Sequence, residues 1–242
     1  MSSLFLSDLH LDPSRPRITD LFEHYLASDE VRQAQALYIL GDLVEAWIGD
    51  DDDAELPRRI ATTTRAVGDA GVPVYFMAGN RDFLIGDAFA QRAGMALLND
   101  GTVHDIQGRP TLLMHGDVLC TGDLAYQAVR RQARNPEWQA QILSMPLEAR
   151  RAFAAKARED SRAHTGSTME GIMDVNADAV ATALRDAGVT RLIHGHTHRP
   201  AIHRFKLDGQ QAERIVLGDW YEQGSVLRVT PEGVALRGLA IG

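Results

Sequence analysis

The chain of 242 residues predicts an α/β fold: two β layers flanked by helices, with a helical segment inserted between strands. Three observations predict it. Short apolar runs of strand character each stop at a polar tip, and helical patterns lie between several of them. Beyond Pro200 the pattern changes to short alternating runs that read as antiparallel strands. Residues 121–170 are helical in composition and differ in charge from the rest.

The elements follow in order. Ser3–Leu6 is short and apolar and runs into Asp8. Ala36–Leu40 (ALYIL) is a buried-strand pattern ending in Gly41-Asp42, and residues 73–78 (PVYFMA) are another, ending in Gly79-Asn80. Residues 111–114 (TLLM) end in His115-Gly116-Asp117, and residues 191–193 are followed by His194. Helices are expected over 18–33, 55–70 and 174–187, with Gly71 and Gly188 at C-cap positions. Antiparallel strands are expected over 201–207, 214–217 and 224–229.

The segment 121–170 carries eight Lys/Arg against six Asp/Glu, inside a chain of formal net charge -8. Trp138, Ile142 and Met145 fall at i, i+4 and i+7, one helical face. Two readings stand: a solvated insertion whose apolar stripe packs on the main domain, or an apolar and basic surface for an anionic amphiphile or a bilayer.

Composition bounds the function. At 45% hydrophobic residues the chain can build a sizeable core, and its acidity argues against a general nucleic-acid binder. One cysteine, Cys120, leaves no intrachain disulfide framework and reads as a small buried hydrophobe. No apolar run approaches the ~18 residues of a membrane span. MSSLFLSDLH lacks a basic region leading into an apolar core, so no secretory leader is expected. A cytoplasmic protein follows, with contact to a membrane surface left open.

The strand tips carry the chemistry: Asp8-x-His10, Asp42, Asn80-Arg81-Asp82, His115-Gly116-Asp117 and His194-Gly195-His196-Thr197-His198. Three of the nine histidines sit within five residues. Carboxylate, amide and imidazole without thiolate suit Mn²⁺, Zn²⁺ or Fe²⁺ rather than a structural zinc knot. In extended backbone, i and i+2 point to one side, so Asp8 with His10 and His196 with His198 are expected to converge. Seven such groups exceed one tetrahedral ion and suit two ions sharing a carboxylate. His194 is read as a brace, Asp82 and Asp117 as orienting residues. The acidic run 50–53 is expected to cap the following helix in a solvated loop.

The five motifs in order resemble the calcineurin-like metallophosphoesterases. The resemblance implies a two-sheet β-sandwich flanked by helices, with an inserted helical cap over 121–170 and a core over 1–120 and 171–242. It implies two Mn²⁺ per chain, one on Asp8, His10, Asp42 and His198, the other on Asp42, Asn80, His115 and His196. Catalysis would rest on Asn80, Arg81, His115 and His196.

Many members of this superfamily have histidine where this chain has Arg81. Arginine cannot donate a proton at neutral pH, but its fork suits a phosphate. A leaving group that departs without protonation follows, as in a pyrophosphate. The runs LYILGDLVEAWIGDD, MHGDVLCTGDLAYQ, IMDVN and HGHTHRP resemble the UDP-2,3-diacylglucosamine diphosphatase family of the lipid A pathway. That resemblance implies cleavage of UDP-2,3-diacylglucosamine to UMP and lipid X, by attack of a metal-activated water on the α-phosphate, at the cytoplasmic face of the bacterial inner membrane. No nucleic acid and no obligate protein partner are expected. It also implies substrate contacts at Asn80, Arg81, Asp123, Ser161, Thr165, Thr168 and His196. The family often has Asn and Lys where this chain has Thr165 and Thr168, so Arg158 or Arg162 is expected to replace the missing charge. A related enzyme acting on a soluble nucleotide diphosphate, and a non-catalytic metal-bearing binding module, are the competing readings.

Overall fold

A computed structural model of the chain describes residues 1–167 and 174–241, with the backbone alone over 161–167. Strand β1 (Ser3–Leu6) leads through helices α1 (Pro16–Leu26) and α2 (Asp29–Arg32) to β2 (Ala36–Leu40). The single helix expected over 18–33 is therefore two. The Ser28 hydroxyl accepts from the Val31 amide and caps a new helix, which ends the first. Helix α3 (Glu55–Asp69), strand β3 (Val74–Met77), helix α4 (Asp87–Ala93) and strand β4 (Met95–Leu98) complete a parallel run. Strands β5 (Thr102–Ile106) and β6 (Arg109–Met114) form an antiparallel hairpin. Helices α5 (Leu124–Ala133), α6 (Pro136–Leu143) and α7 (Leu147–Ser167) follow, then α8 (Ala177–Asp186) and β7 (Arg191–His194). The chain ends in β8 (Ala201–Leu207), β9 (Gln210–Val216), β10 (Gly224–Thr230) and β11 (Gly233–Leu239).

Two sheets result, a six-stranded one in the order β11-β10-β1-β2-β3-β4 and a five-stranded one in the order β5-β6-β7-β9-β8. Strand alternation builds three apolar layers. Phe5, Tyr38 and Leu40 point inward and meet Leu113, Ile193 and Ile215 of the other sheet. Leu4, Leu6, Leu37 and Ile39 point outward onto Phe22, Ile60, Val67 and Phe89 of the helices. Leu112 and Leu192 pack on Val180 and Leu184 of α8. Helices α3 and α8 end alike. Gly71 and Gly188 have φ of +90° and +65°, and Val72 and Val189 reach back to the carbonyls of Val67 and Leu184, closing a left-handed cap.

Two expectations need correction. The run 50–53 does not cap α3. Asp50 accepts from the amides of Gly86 and Phe89 and so caps α4 in trans. Asp51 pairs with Arg150 (2.7 Å) and Asp52 with Arg151 (3.1 Å), which fastens α7 to the core. The side chains in this run had nearer partners than the helix that follows them. In the second case, Pro146 and the Ser144 cap end α6 before Met145. Trp138, Ile142 and Met145 nonetheless all pack on the outer core, as the first of the two readings had it.

Ile193 is fully buried between the sheets, one residue from the motif that follows β7. Ile193→Ala is expected to lower stability by about 2–5 kcal/mol, read as a shifted urea midpoint with an unchanged slope.

Candidate metal centre

The functional side chains stand just beyond the C-terminal ends of parallel strands. Asp8 and His10 follow β1, Asp42 follows β2 and Asn80 follows β3. His115 follows β6, and His196 and His198 follow β7. Ligands in open α/β sheets bind at this edge.

Their convergence does not come from extended backbone. Asp8, His10, Asp42, His196 and His198 all have φ between 47° and 69°, the left-handed region. Non-glycine residues adopt it at a cost of about 1–2 kcal/mol each. Among the described residues only Gln107 and Asp208 share it outside this group. The expected convergence therefore holds for Asp8 and His10, which share a group with His198, but not for His196 and His198, since His196 turns to Asn80 and His115 instead.

The surrounding backbone is built for close approach. At Gly195 a Cβ would overlap the Ser7 hydroxyl and the Asp8 carboxylate, and at Gly79 it would overlap Asp42. Asp82 is fully buried and accepts from the amides of Leu43 and Gly79, both at 2.7 Å. It therefore locks the Asp42 loop to the Asn80 loop. Burial and the neighbouring Asp42 push its carboxyl up to about 6.

The donor atoms form two groups that meet at Asp42. In the first, His10 Nε2 lies 3.3 Å from His198 Nε2 and 3.7 Å from Asp42 Oδ2. Asp8 Oδ1 is 3.4 Å from His198 Nε2, buried and without a well-aligned donor. Its other oxygen is taken by the Ser7 hydroxyl and the His196 amide. In the second group, Asn80 Oδ1 lies 3.0 Å from His115 Nε2 and 2.9 Å from His196 Nδ1. Asp42 Oδ1 is 3.8 Å from His115 Nε2. The two oxygens of Asp42 thus face different groups.

Charge runs the same way. Burial pushes the Asp8 carboxyl up, but His198, His115 and His10 outweigh it and hold it below the usual carboxylate range. Burial would lower His115, yet Asp42, Asp117 and Asp8 raise it to about 9. Burial and His115 lower His196 to about 4. The carboxylates draw positive charge into the cluster, and donor atoms within 4.8 Å of one another are close enough to share a cation. The donor set is oxygen and imidazole nitrogen, which fits borderline divalent ions. The ring orientations also fit. His115 Nδ1 faces the Leu40 carbonyl at 2.9 Å, leaving Nε2 to point inward.

His194 stands apart. Its Nδ1 donates to the Gly195 carbonyl at 2.8 Å, and its ring packs on Gly116. Burial holds it down to about 3, so it is a neutral brace for the loop. Asp117 meets Arg130 Nε at 2.8 Å and accepts from the Tyr126 hydroxyl at 3.1 Å. It anchors α5 rather than orienting a donor of the cluster. Cys120 is buried, as expected, and burial raises its thiol to about 12.

A cleft of about 530 Å³ opens from the cluster and runs under α5–α7. Asn80, Arg81 and Asp117 lie at its polar end, with Glu45 and Arg158 on the rim. Trp47, Phe83, Leu84, Val129, Trp138 and Phe153 line its apolar part. Such a shape takes a molecule with a charged head and an apolar body.

Asp123 caps α5, accepting from the Tyr126 amide at 2.9 Å. The side chains of Ser161 and Thr165, the whole of Thr168 and the side chain of Arg162 lie outside the described residues. Sequence reasoning missed Glu45, Tyr126, Arg130 and Tyr221, whose ring stacks on that of His10 at 5.1 Å. Tyr126, Arg130 and Arg134 recur at i, i+4 and i+8, a helical face that the spacing could have revealed. Glu45 and Tyr221 carry no comparable signal.

Residues 1–200 match the calcineurin-like phosphoesterase family. The chain belongs to this family. Over 100% of both chains it is 55% identical to the UDP-2,3-diacylglucosamine hydrolase of Xanthomonas oryzae pv. oryzae (strain PXO99A). The protein of the same name from Cellvibrio japonicus (strain Ueda107) is 54% identical over 98% of each chain. A solved archaeal phosphodiesterase superposes with a TM-score of 0.51 at 11% identity, covering 99% of this chain and 100% of that one. That likeness concerns the fold alone. The calcineurin-like phosphoesterases are metal-dependent hydrolases, and the paired donor groups around Asp42 are the candidate ligands in this chain.

Because Gly195 has no room for a side chain, Gly195→Ala is expected to displace Ser7 and Asp8. Divalent-metal binding should fall at least 10-fold in a titration of the folded variant, while Gly209→Ala, a glycine with open space around it, leaves it unchanged.

Proposed function

We propose that the chain hydrolyses the pyrophosphate bond of UDP-2,3-diacylglucosamine, giving UMP and 2,3-diacylglucosamine 1-phosphate (lipid X), a step of lipid A biosynthesis. One observation carries the reading: the paired donor cluster opens directly into a cleft that is charged at that end and apolar beyond. Relatives of the same length that carry this substrate in their names support it.

In this reading Asp8, His10, Asp42 and His198 hold one cation and Asp42, Asn80, His115 and His196 the other. Mn²⁺ suits the oxygen and imidazole donors. When bound, the two ions supply charge neutralisation and lower the pKa of the attacking water. The chain's own residues do the rest. Asn80 and Arg81 hold the α-phosphate oxygens as charge develops on them. His196 and His115 keep the phosphate at the strand edge. Lipid X leaves as a phosphate monoester, which requires no proton from Arg81. Arg158, on the rim of the cleft, supports the leaving phosphate in place of the lysine absent at Thr168. Asp123 starts the helix that walls the cleft, and Ser161 and Thr165 belong to the same segment at the sugar and acyl end.

Residues 121–170 then form the cap and 1–120 with 171–242 the catalytic core. The cap also supports peripheral contact with the cytoplasmic face of the inner membrane. Leu124 (76%), Val129 (63%) and Phe153 (42%) are exposed there. Among the described residues no helix is long and apolar enough to cross a membrane.

With Mn²⁺ present, the protein is expected to release UMP from UDP-2,3-diacylglucosamine, with kcat/KM at least 100-fold above that for UDP-glucose. No UMP release would contradict the reading, and equal turnover of UDP-glucose would favour the soluble-substrate alternative. In ¹⁸O-water the label should enter UMP and not the sugar phosphate, as read by mass spectrometry. Arg81→Ala should lower kcat by about 10²–10³ while metal content stays at the wild-type level.

A further inference from the structure

The motif LGDLVEAW contains a carboxylate to which the hydrolytic reading assigns no task. We propose that Glu45 is a positioning residue: it holds the His10 ring so that Nε2 is offered to a cation, and it connects this ligand to Arg158 on α7.

Backbone register puts Glu45 there. The loops after β1 and β2 run side by side. The His10 amide donates to the Asp42 carbonyl at 2.8 Å, the Leu11 amide to Leu43 at 3.0 Å, and the Glu45 amide to Leu11 at 3.0 Å. Leu11 and Val44 form an isolated bridge between them. Glu45 is thus set beside His10 by the same hydrogen bonds that set Asp42 beside it.

The two oxygens of Glu45 face different partners. Oε2 lies 3.1 Å from His10 Nδ1, close but off the line of an aligned hydrogen bond, and Oε1 lies at ion-pair distance, 3.7 Å, from Arg158 Nε. His10 is almost wholly buried, and its Nε2 is turned toward His198 and Asp42. An imidazole with an acceptor at Nδ1 keeps its proton there and presents an unprotonated Nε2. Outer carboxylates of this kind orient a ligating histidine and raise its basicity. The His115 ring is turned the same way, with Nδ1 on the Leu40 carbonyl. A carboxylate does this more strongly than a carbonyl, because it carries full charge.

Arg158 is shared with Asp12 at 3.5 Å. Through Arg158 the loops that carry His10 and Glu45 are thus tied to α7, the helix above the cleft.

The inference rests on His10 being a cation ligand, and the test separates the two. Mn²⁺ is titrated into metal-free wild type, His10→Ala, Glu45→Ala and Glu45→Gln, with free Mn²⁺ read by electron paramagnetic resonance. His10→Ala should lose one of two sites. Glu45→Ala should keep two sites with one weakened about 10–100-fold. Glu45→Gln should fall between, since its amide oxygen still accepts from Nδ1–H. In Glu45→Ala, kcat should drop at limiting Mn²⁺ and recover in excess Mn²⁺, which a general packing defect would not do. A Glu45→Ala binding curve that superposes on wild type, while His10→Ala loses a site, overturns the inference. An unchanged curve for His10→Ala removes the ligand and the inference with it.

Discussion

Everything in this molecule is arranged around nitrogen and oxygen donors crowded at one buried carboxylate, Asp42. Two imidazole nitrogens sit 3.3 Å apart at one side of Asp42, and an amide oxygen meets two more imidazoles at the other. Five of the seven side chains reach the site from left-handed backbone. At about 1–2 kcal/mol per residue, this strain is comparable to the net stability of a domain. It persists because rigid layers hold it: the inter-sheet core, the buried Asp82 between two loops, and glycines where no side chain fits. Strain of this kind collects at functional sites. A cation shared between the donors would offset that strain with binding energy.

The second constraint is the shape beside the cluster. Helices α5–α7 enclose an apolar cleft only if they stay on the core. Arg150 and Arg151 pair with Asp51 and Asp52, and Arg130 and Arg134 reach Asp117 and the carbonyls of Ala78 and Gly79. Arginines with carbonyl and carboxylate partners are therefore how a polar catalytic edge and an apolar slot are joined. Their loss would separate the slot from the phosphate end without touching any cluster residue.

Much of this was legible in the sequence. The parallel strands and their polar tips were readable because a buried strand is a short apolar run, and each one stopped at chemistry. Gly71 and Gly188 marked helix ends because a left-handed cap needs them. The seven residues at these tips lie in two neighbouring groups on either side of Asp42. Strands β4, β5 and β11 were not legible. Their burial alternates or is partial, and their pairing depends on distant strands. The direction of the acidic run was hidden for the same reason, since Asp51 finds Arg150 across 99 residues. Glu45 looked like one surface carboxylate among many. Only the register of the two loops places it on His10.

The account depends most on two cations sharing Asp42. Crystals grown with Mn²⁺ and measured by anomalous diffraction at the manganese edge test this directly. The account predicts two peaks per chain roughly 3.5–4 Å apart, one beside each oxygen of Asp42. A single peak, or two peaks away from Asp42, would contradict it.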